Sequence, residues 1–131
     1  MPTRATSAFD ITAWEPEDYD EQDGITLTRT RVVKTFHDDL EGSSTAELLM
    51  AVAPGGSAIY VGVERVSGRL LGMSGSFILV HDASMAGAEQ SLSLTIMRDS
   101  GTGDLHGIHG DATIAIDADG GHTLILDYDL G

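Results

Sequence analysis

The rhythm of the apolar residues constrains this chain more than any other feature. In segment after segment they fall at alternate positions among Val, Ile and Thr, and clusters of Gly, Asp and Ser break the segments at short intervals. Alternation is the period of a half-buried strand, and a surface helix would repeat its apolar face every three to four residues. Helix signals of that kind are almost absent. The pattern predicts strands over residues 5–14, 25–36, from the turn at 38–42 through 53, then 58–66, 76–82, 90–98, 112–116 and 123–129. The acidic stretch 15–24, with six carboxylates, reads as a loop, as do residues 83–88 and the Gly-rich stretch 100–110. Pro54-Gly55-Gly56 and Asp119-Gly120-Gly121 are tight-turn signals.

Eight strands in succession, without crossover helices, imply antiparallel neighbours. Closing them into a barrel removes the unpaired edges that invite aggregation. The expected fold is therefore all-β, a closed antiparallel eight-stranded barrel, with a two-sheet sandwich as the alternative that fits the same periodicity. A barrel of this size has an interior just wide enough to be filled by side chains or to hold one small ligand. The 131 residues leave room for one core, so the whole chain reads as a single domain.

Composition excludes several functions. With no cysteine, disulfides, thiolate metal sites and a Cys nucleophile are ruled out. Twenty-one acids against seven bases give a net charge of −14. Such a surface repels phosphate backbones and anionic lipids, so neither nucleic acid nor membrane is expected as a partner. Residues 1–10 have no apolar leader pattern, and no run approaches the ~18 apolar residues of a spanning helix. A cytoplasmic location is the expectation.

A few polar residues sit where a barrel would bury them. Glu64 interrupts an otherwise apolar strand, so its carboxylate must face water, pair with a neighbour such as Arg69, or enter the lumen. In a dry lumen, desolvation would raise its pKa and suit it to general acid–base work. His81 ends the run Phe77-Ile78-Leu79-Val80 and shares a face with Phe77 and Leu79. A neighbouring carboxylate would make it a proton shuttle, and backbone bonding near Asp82 is the plainer alternative. Alternation places Asp10, Thr12 and Trp14 on one face of the first strand, as a polar group and a flat wall for a ligand if that face is interior. If it is exterior, Phe9 and Ile11 fill the core instead. Glu47, between Ala46 and Leu48, raises the same question of facing, Tyr60 and Tyr128 could orient a ligand's oxygen, and Lys34 could pair with Glu47 or Glu64.

Other motifs fall short. In Gly101-Thr102-Gly103-Asp104-Leu105-His106-Gly107 the third glycine comes one residue late for a dinucleotide loop and no helix follows. Positive φ angles and a bulge at a barrel corner explain those glycines better. His106 and His109 with Asp104 and Asp111 lack a clear third metal ligand. The acids around Asp18, Asp20 and Asp23 fall at the wrong offsets for a calcium loop. No Ser lies in a nucleophile elbow.

Stretches along almost the whole chain resemble a small bacterial family, domain of unknown function 3224. They are Phe9-Asp10-Ile11-Thr12 with Trp14, Lys34-Thr35-Phe36 with Asp39-Leu40-Glu41-Gly42, and Val61-Gly62-Val63-Glu64-Arg65 with Gly68. Gly75-Ser76-Phe77 with His81, Gly101-Thr102-Gly103-Asp104-Leu105 with Gly107 and Gly110, and Leu126-Asp127-Tyr128 complete the set. The family's barrel is similar to that of plant allene oxide cyclase. The resemblance implies an eight-stranded barrel and a homo-oligomer, of which a dimer is the favoured form. The cyclase likeness implies a cavity that shapes a flexible substrate without a cofactor, aided by a first-strand glutamate whose matching position here is the shorter Asp10.

The function expected is a cofactor-independent isomerase or cyclase acting on a small, apolar or amphipathic molecule. Glu64, Asp10 and His81 would carry its chemistry, with Trp14, Glu47, Tyr60 and Tyr128 binding the substrate. A non-catalytic binding barrel and a filled barrel serving as an interaction domain are the alternatives. A cavity above ~300 Å³, lined by apolar side chains plus Glu64 or Asp10, would favour the first two.

Overall fold

The computed structural model describes residues 2–131 and forms one closed barrel in which each strand pairs with the next and β8 returns to β1, all antiparallel. The strands are β1 (Thr3–Gln22), β2 (Ile25–Phe36), β3 (Leu40–Val52), β4 (Ala58–Leu70), β5 (Met73–Ala86), β6 (Glu89–Ile96), β7 (His109–Ile116) and β8 (His122–Asp129). The barrel prediction holds and the sandwich is excluded. A short 3₁₀ turn, Gly103–Leu105, is the one helical element among the described residues.

Two stretches expected to be loops are strand. β1 continues through the acidic residues to Gln22, which pairs with Ile25, and β5 extends to Ala86. The outer part of the β1–β2 hairpin is exposed on both faces, so no buried face imposes alternation there. Its acids are solvated on a ribbon that projects beyond the packed interior.

One end of the barrel is filled. Phe36, Leu40, Val66, Leu70, Phe77, Leu79, Ile96, Leu124 and Leu126 form the main apolar cluster, closed below by Leu105 and Ile108 from the Gly-rich connection. That connection lies tight against the barrel: a Cβ on Gly75 would stand 2.0 Å from the Thr102 carbonyl oxygen, and one on Gly101 would stand 2.0 Å from that of Leu105. Gly103, with φ near +58°, turns the chain into the plug. The glycines thus supply the positive φ expected of them, and in place of a bulge they allow close backbone approach. A smaller cluster, Val32, Ala46 and Leu48 with Met50 and Tyr60, lines the other half of the bore. The polar side chains of Lys34, Ser44, Glu64 and His81 are buried as well.

Candidate functional site

Four consecutive strands each contribute a side chain to one buried polar group: Lys34 from β2, Ser44 from β3, Glu64 from β4 and His81 from β5. Along β4, even-numbered residues face the bore, so Tyr60, Gly62, Glu64 and Val66 point in while Ile59, Val61, Val63 and Arg65 point out. The strand therefore buries its acid and exposes its aliphatic residues. Register keeps the group together, since Ala46 pairs with Glu64, Glu64 with Leu79 and Gly62 with His81.

Glu64 is the hub and is 1% exposed. Its Oε1 lies 2.7 Å from His81 Nε2, and its Oε2 accepts a 2.5 Å hydrogen bond from Ser44 Oγ. Lys34 Nζ stands 3.3 Å from each carboxylate oxygen and 4.8 Å over the Phe9 ring. Burial pushes the Glu64 carboxyl upward, but the His81 hydrogen bond, the Lys34 charge and the Ser44 hydrogen bond outweigh it and hold the pKa down at about 2. The expectation of a raised pKa is corrected: Glu64 is a permanent carboxylate at neutral pH and a poor proton donor or acceptor. A carboxylate only accepts hydrogen bonds, so Nε2 of His81 carries the proton and, in the neutral ring, Nδ1 carries the lone pair. That Nδ1 is buried and has no partner.

Beside this group the upper half of the bore holds a cavity of about 150 Å³. Phe9, Val32, Leu48 and Ile114 give it apolar walls, with Lys34, His81, Tyr60 and His122 as the polar ones. Ile11 and Trp14 also line it, and because Trp14 is 52% exposed the cavity reaches the surface there. It falls short of the ~300 Å³ expected of a ligand-binding barrel and neither Glu64 nor Asp10 is on its wall, although its size is close to that of the engineered cavities that take up benzene. A larger concavity, about 610 Å³, lies outside the barrel between Arg29, Leu49, Val61, Val63 and Asp82.

The expected site residues divide accordingly. Glu64, His81, Trp14 and Tyr60 are at or beside the lumen cavity, and Lys34 takes Glu64 rather than Glu47 as its partner. Asp10 is not in the lumen. It is exposed on the outer face, where its carboxylate sits 3.0 Å from His37 Nε2. A bulge at Thr12 shifts the β1 register, so Phe9, Ile11 and Trp14 face inward while Asp10 faces out. Simple alternation had joined Asp10 to Trp14 because it assumed no extra residue between them. Glu47 is likewise outside, paired with Arg29 at 3.2 Å. Tyr128 is buried in the main cluster, away from the cavity, and burial raises its pKa. Ser44 was missed, since a serine between Ser43 and Thr45 looks like any solvated strand position. Among the described residues no three His, Asp or Glu side chains converge to hold a metal; His109 Nδ1 instead lies 3.1 Å from the Gly107 carbonyl.

No curated protein matches the chain. A crystal structure of a protein of unknown function from the DUF3224 family of Shewanella oneidensis MR-1 superposes with a TM-score of 0.91 at 35% identity. It covers 100% of this chain and 98% of that one. The profile of the same family, described as protein of unknown function (DUF3224), matches residues 5–128. On the strength of both the sequence and the barrel, the chain belongs to the DUF3224 family.

Proposed function

We propose that this barrel is a cofactor-independent isomerase that binds a small, largely apolar molecule in its lumen and moves a proton on it through His81. The observation that supports this reading most is the buried Glu64–His81 pair beside an apolar cavity, with the second imidazole nitrogen unpartnered. Burying charge costs several kcal/mol unless it is paired and hydrogen-bonded, and such networks with shifted pKa values concentrate at functional sites. In this arrangement the base is the histidine. Nδ1 takes a proton from one carbon of the guest and returns it to another, while Glu64 fixes the tautomer and stabilises the imidazolium formed between the two steps. The cavity walls contribute by holding one reactive conformer.

The cavity's size narrows the guest to a compact, ring-sized molecule. The test is a screen of such fragments by protein NMR, followed by deuterium incorporation into each binder in D₂O. Carbon-bound hydrogens that exchange with the native protein and not with His81→Ala support the isomerase. Binders without exchange would reduce the barrel to a carrier, and no binder at all would contradict both.

The outer wall supports a second proposal, a homodimer. Ile59, Val61 and Val63, successive outward residues of β4, are 57, 48 and 54% exposed, beside exposed Leu49 on β3 and Val80 on β5. Contiguous apolar surface of this kind marks an interaction site. The register aligns Arg29, Leu49, Val61 and Asp82 in one row across β2 to β5. A twofold axis along the wall between β3 and β4 would set Leu49 on the partner's Val61 and Arg29 on the partner's Asp82, a self-complementary row. Sedimentation equilibrium should give a dimer that Val61→Arg converts to monomer. A native monomer, or a dimer unaffected by that substitution, would contradict this face.

A further inference from the structure

The polar side of the lumen is lopsided in a way that specifies its guest. Lys34 is nearly buried and lines the cavity, and Glu64 is its hydrogen-bond partner among the described residues. An ammonium carries three N–H donors and no acceptor. Both Nζ contacts to Glu64 are long, at 3.3 Å, and the ring of Phe9 covers another side of the ammonium. Donor capacity is therefore left over on the wall of a cavity whose other walls are largely apolar. A guest offering an acceptor oxygen gains a charge-assisted hydrogen bond there, whereas a cationic guest meets Lys34 as a like charge in a low-dielectric space. His81 lines the same cavity, with Nδ1 unsatisfied but buried beneath the wall, so a guest reaches it only as the surrounding side chains give way.

Resting on the isomerase reading, we infer that the guest is a ring-sized carbonyl compound, its oxygen on Lys34 Nζ and an adjacent C–H bond toward His81 Nδ1. The C–H bond breaks and its proton passes to Nδ1. The electron pair becomes a C=C bond, and the carbonyl π pair moves onto the oxygen. The resulting enolate is held by the Lys34 ammonium while Glu64 balances the imidazolium. Returning the proton to the same carbon or to a conjugated one completes the step, and no further reactant is needed. Lys34 is thereby a catalytic residue that its pairing with Glu64 had made look purely structural.

Three probes of similar size test the guest class: cyclohexanone, benzene and cyclohexylammonium, titrated against the whole protein by NMR shift perturbation. Cyclohexanone should bind at least about tenfold tighter than benzene, the worth of one charge-assisted hydrogen bond, and cyclohexylammonium weakest. The double variant Lys34→Met, Glu64→Gln avoids stranding a lone buried charge, and it should retain benzene while losing the preference for cyclohexanone. Equal binding of benzene and cyclohexanone, or a preference for the amine, would overturn the carbonyl inference and leave the lumen-binding reading intact. Failure of all three probes would overturn both.

Discussion

Glu64 offers the sharpest perturbation, because its charge state is coupled to folding. Its pKa is depressed from the usual 4.5 to about 2 in the folded barrel. That gap corresponds to about 3 kcal/mol of preferential stabilisation of the charged carboxylate, at about 1.4 kcal/mol per pH unit. Because the folded pKa lies below the unfolded one, the contribution is fully present above about pH 4.5. It is lost as the pH falls toward 2, where folded and unfolded forms are both protonating. Against a typical total stability of about 5–15 kcal/mol the loss is large. Urea unfolding of the native protein and of Glu64→Gln, measured in parallel from pH 7 to pH 2, isolates it, since the other carboxylates titrate in both. Glu64→Gln leaves Lys34 as an uncompensated buried charge and should be the less stable protein by about 3–5 kcal/mol at pH 7. The difference between the two should narrow by about 3 kcal/mol toward pH 2, equivalent to about 1–3 M in urea midpoint. Curves that stay parallel across the whole range would refute the depressed pKa and with it the assignment of Glu64 as a permanent carboxylate.

Other outcomes follow from the same contacts. Ser44→Ala removes a donor to a buried charge and should cost about 1.5–3 kcal/mol in urea unfolding. Leu105→Ala opens the plug and should cost about 2–5 kcal/mol by the same assay, without changing guest affinity in the upper lumen. Asp10→Asn touches only an exposed pair, worth about 0–1 kcal/mol, so stability and guest binding should both stay near native values. Trp14 is the chain's one tryptophan and lines the cavity mouth, so a lumen guest should change its fluorescence while a ligand on the outer wall should not.

The fold was legible wherever one face of a strand is buried. β2 is bounded as expected because Thr30, Val32, Lys34 and Phe36 all face the bore, and a buried face enforces alternation. The acidic part of β1 was misread because neither of its faces is covered. At the site, Glu64 and His81 stood out as polar residues in apolar runs, and β4 and β5 as hairpin neighbours brought them together. The roles were harder to read. Whether burial or hydrogen bonding sets the pKa of Glu64 depends on Ser44 and Lys34, which come from other strands and carry no local signal. Asp10 failed for a geometric reason, since a one-residue bulge changes the facing of everything beyond it.

Nitrogen NMR of the His81 imidazole probes the lumen directly. With cyclohexanone added, the Nδ1 resonance should move in a saturable way while Nε2 keeps the shift of a protonated nitrogen bonded to Glu64. An imidazole spectrum unchanged by every ring-sized carbonyl compound, or a free protein in which Nδ1 rather than Nε2 carries the proton, would contradict the account.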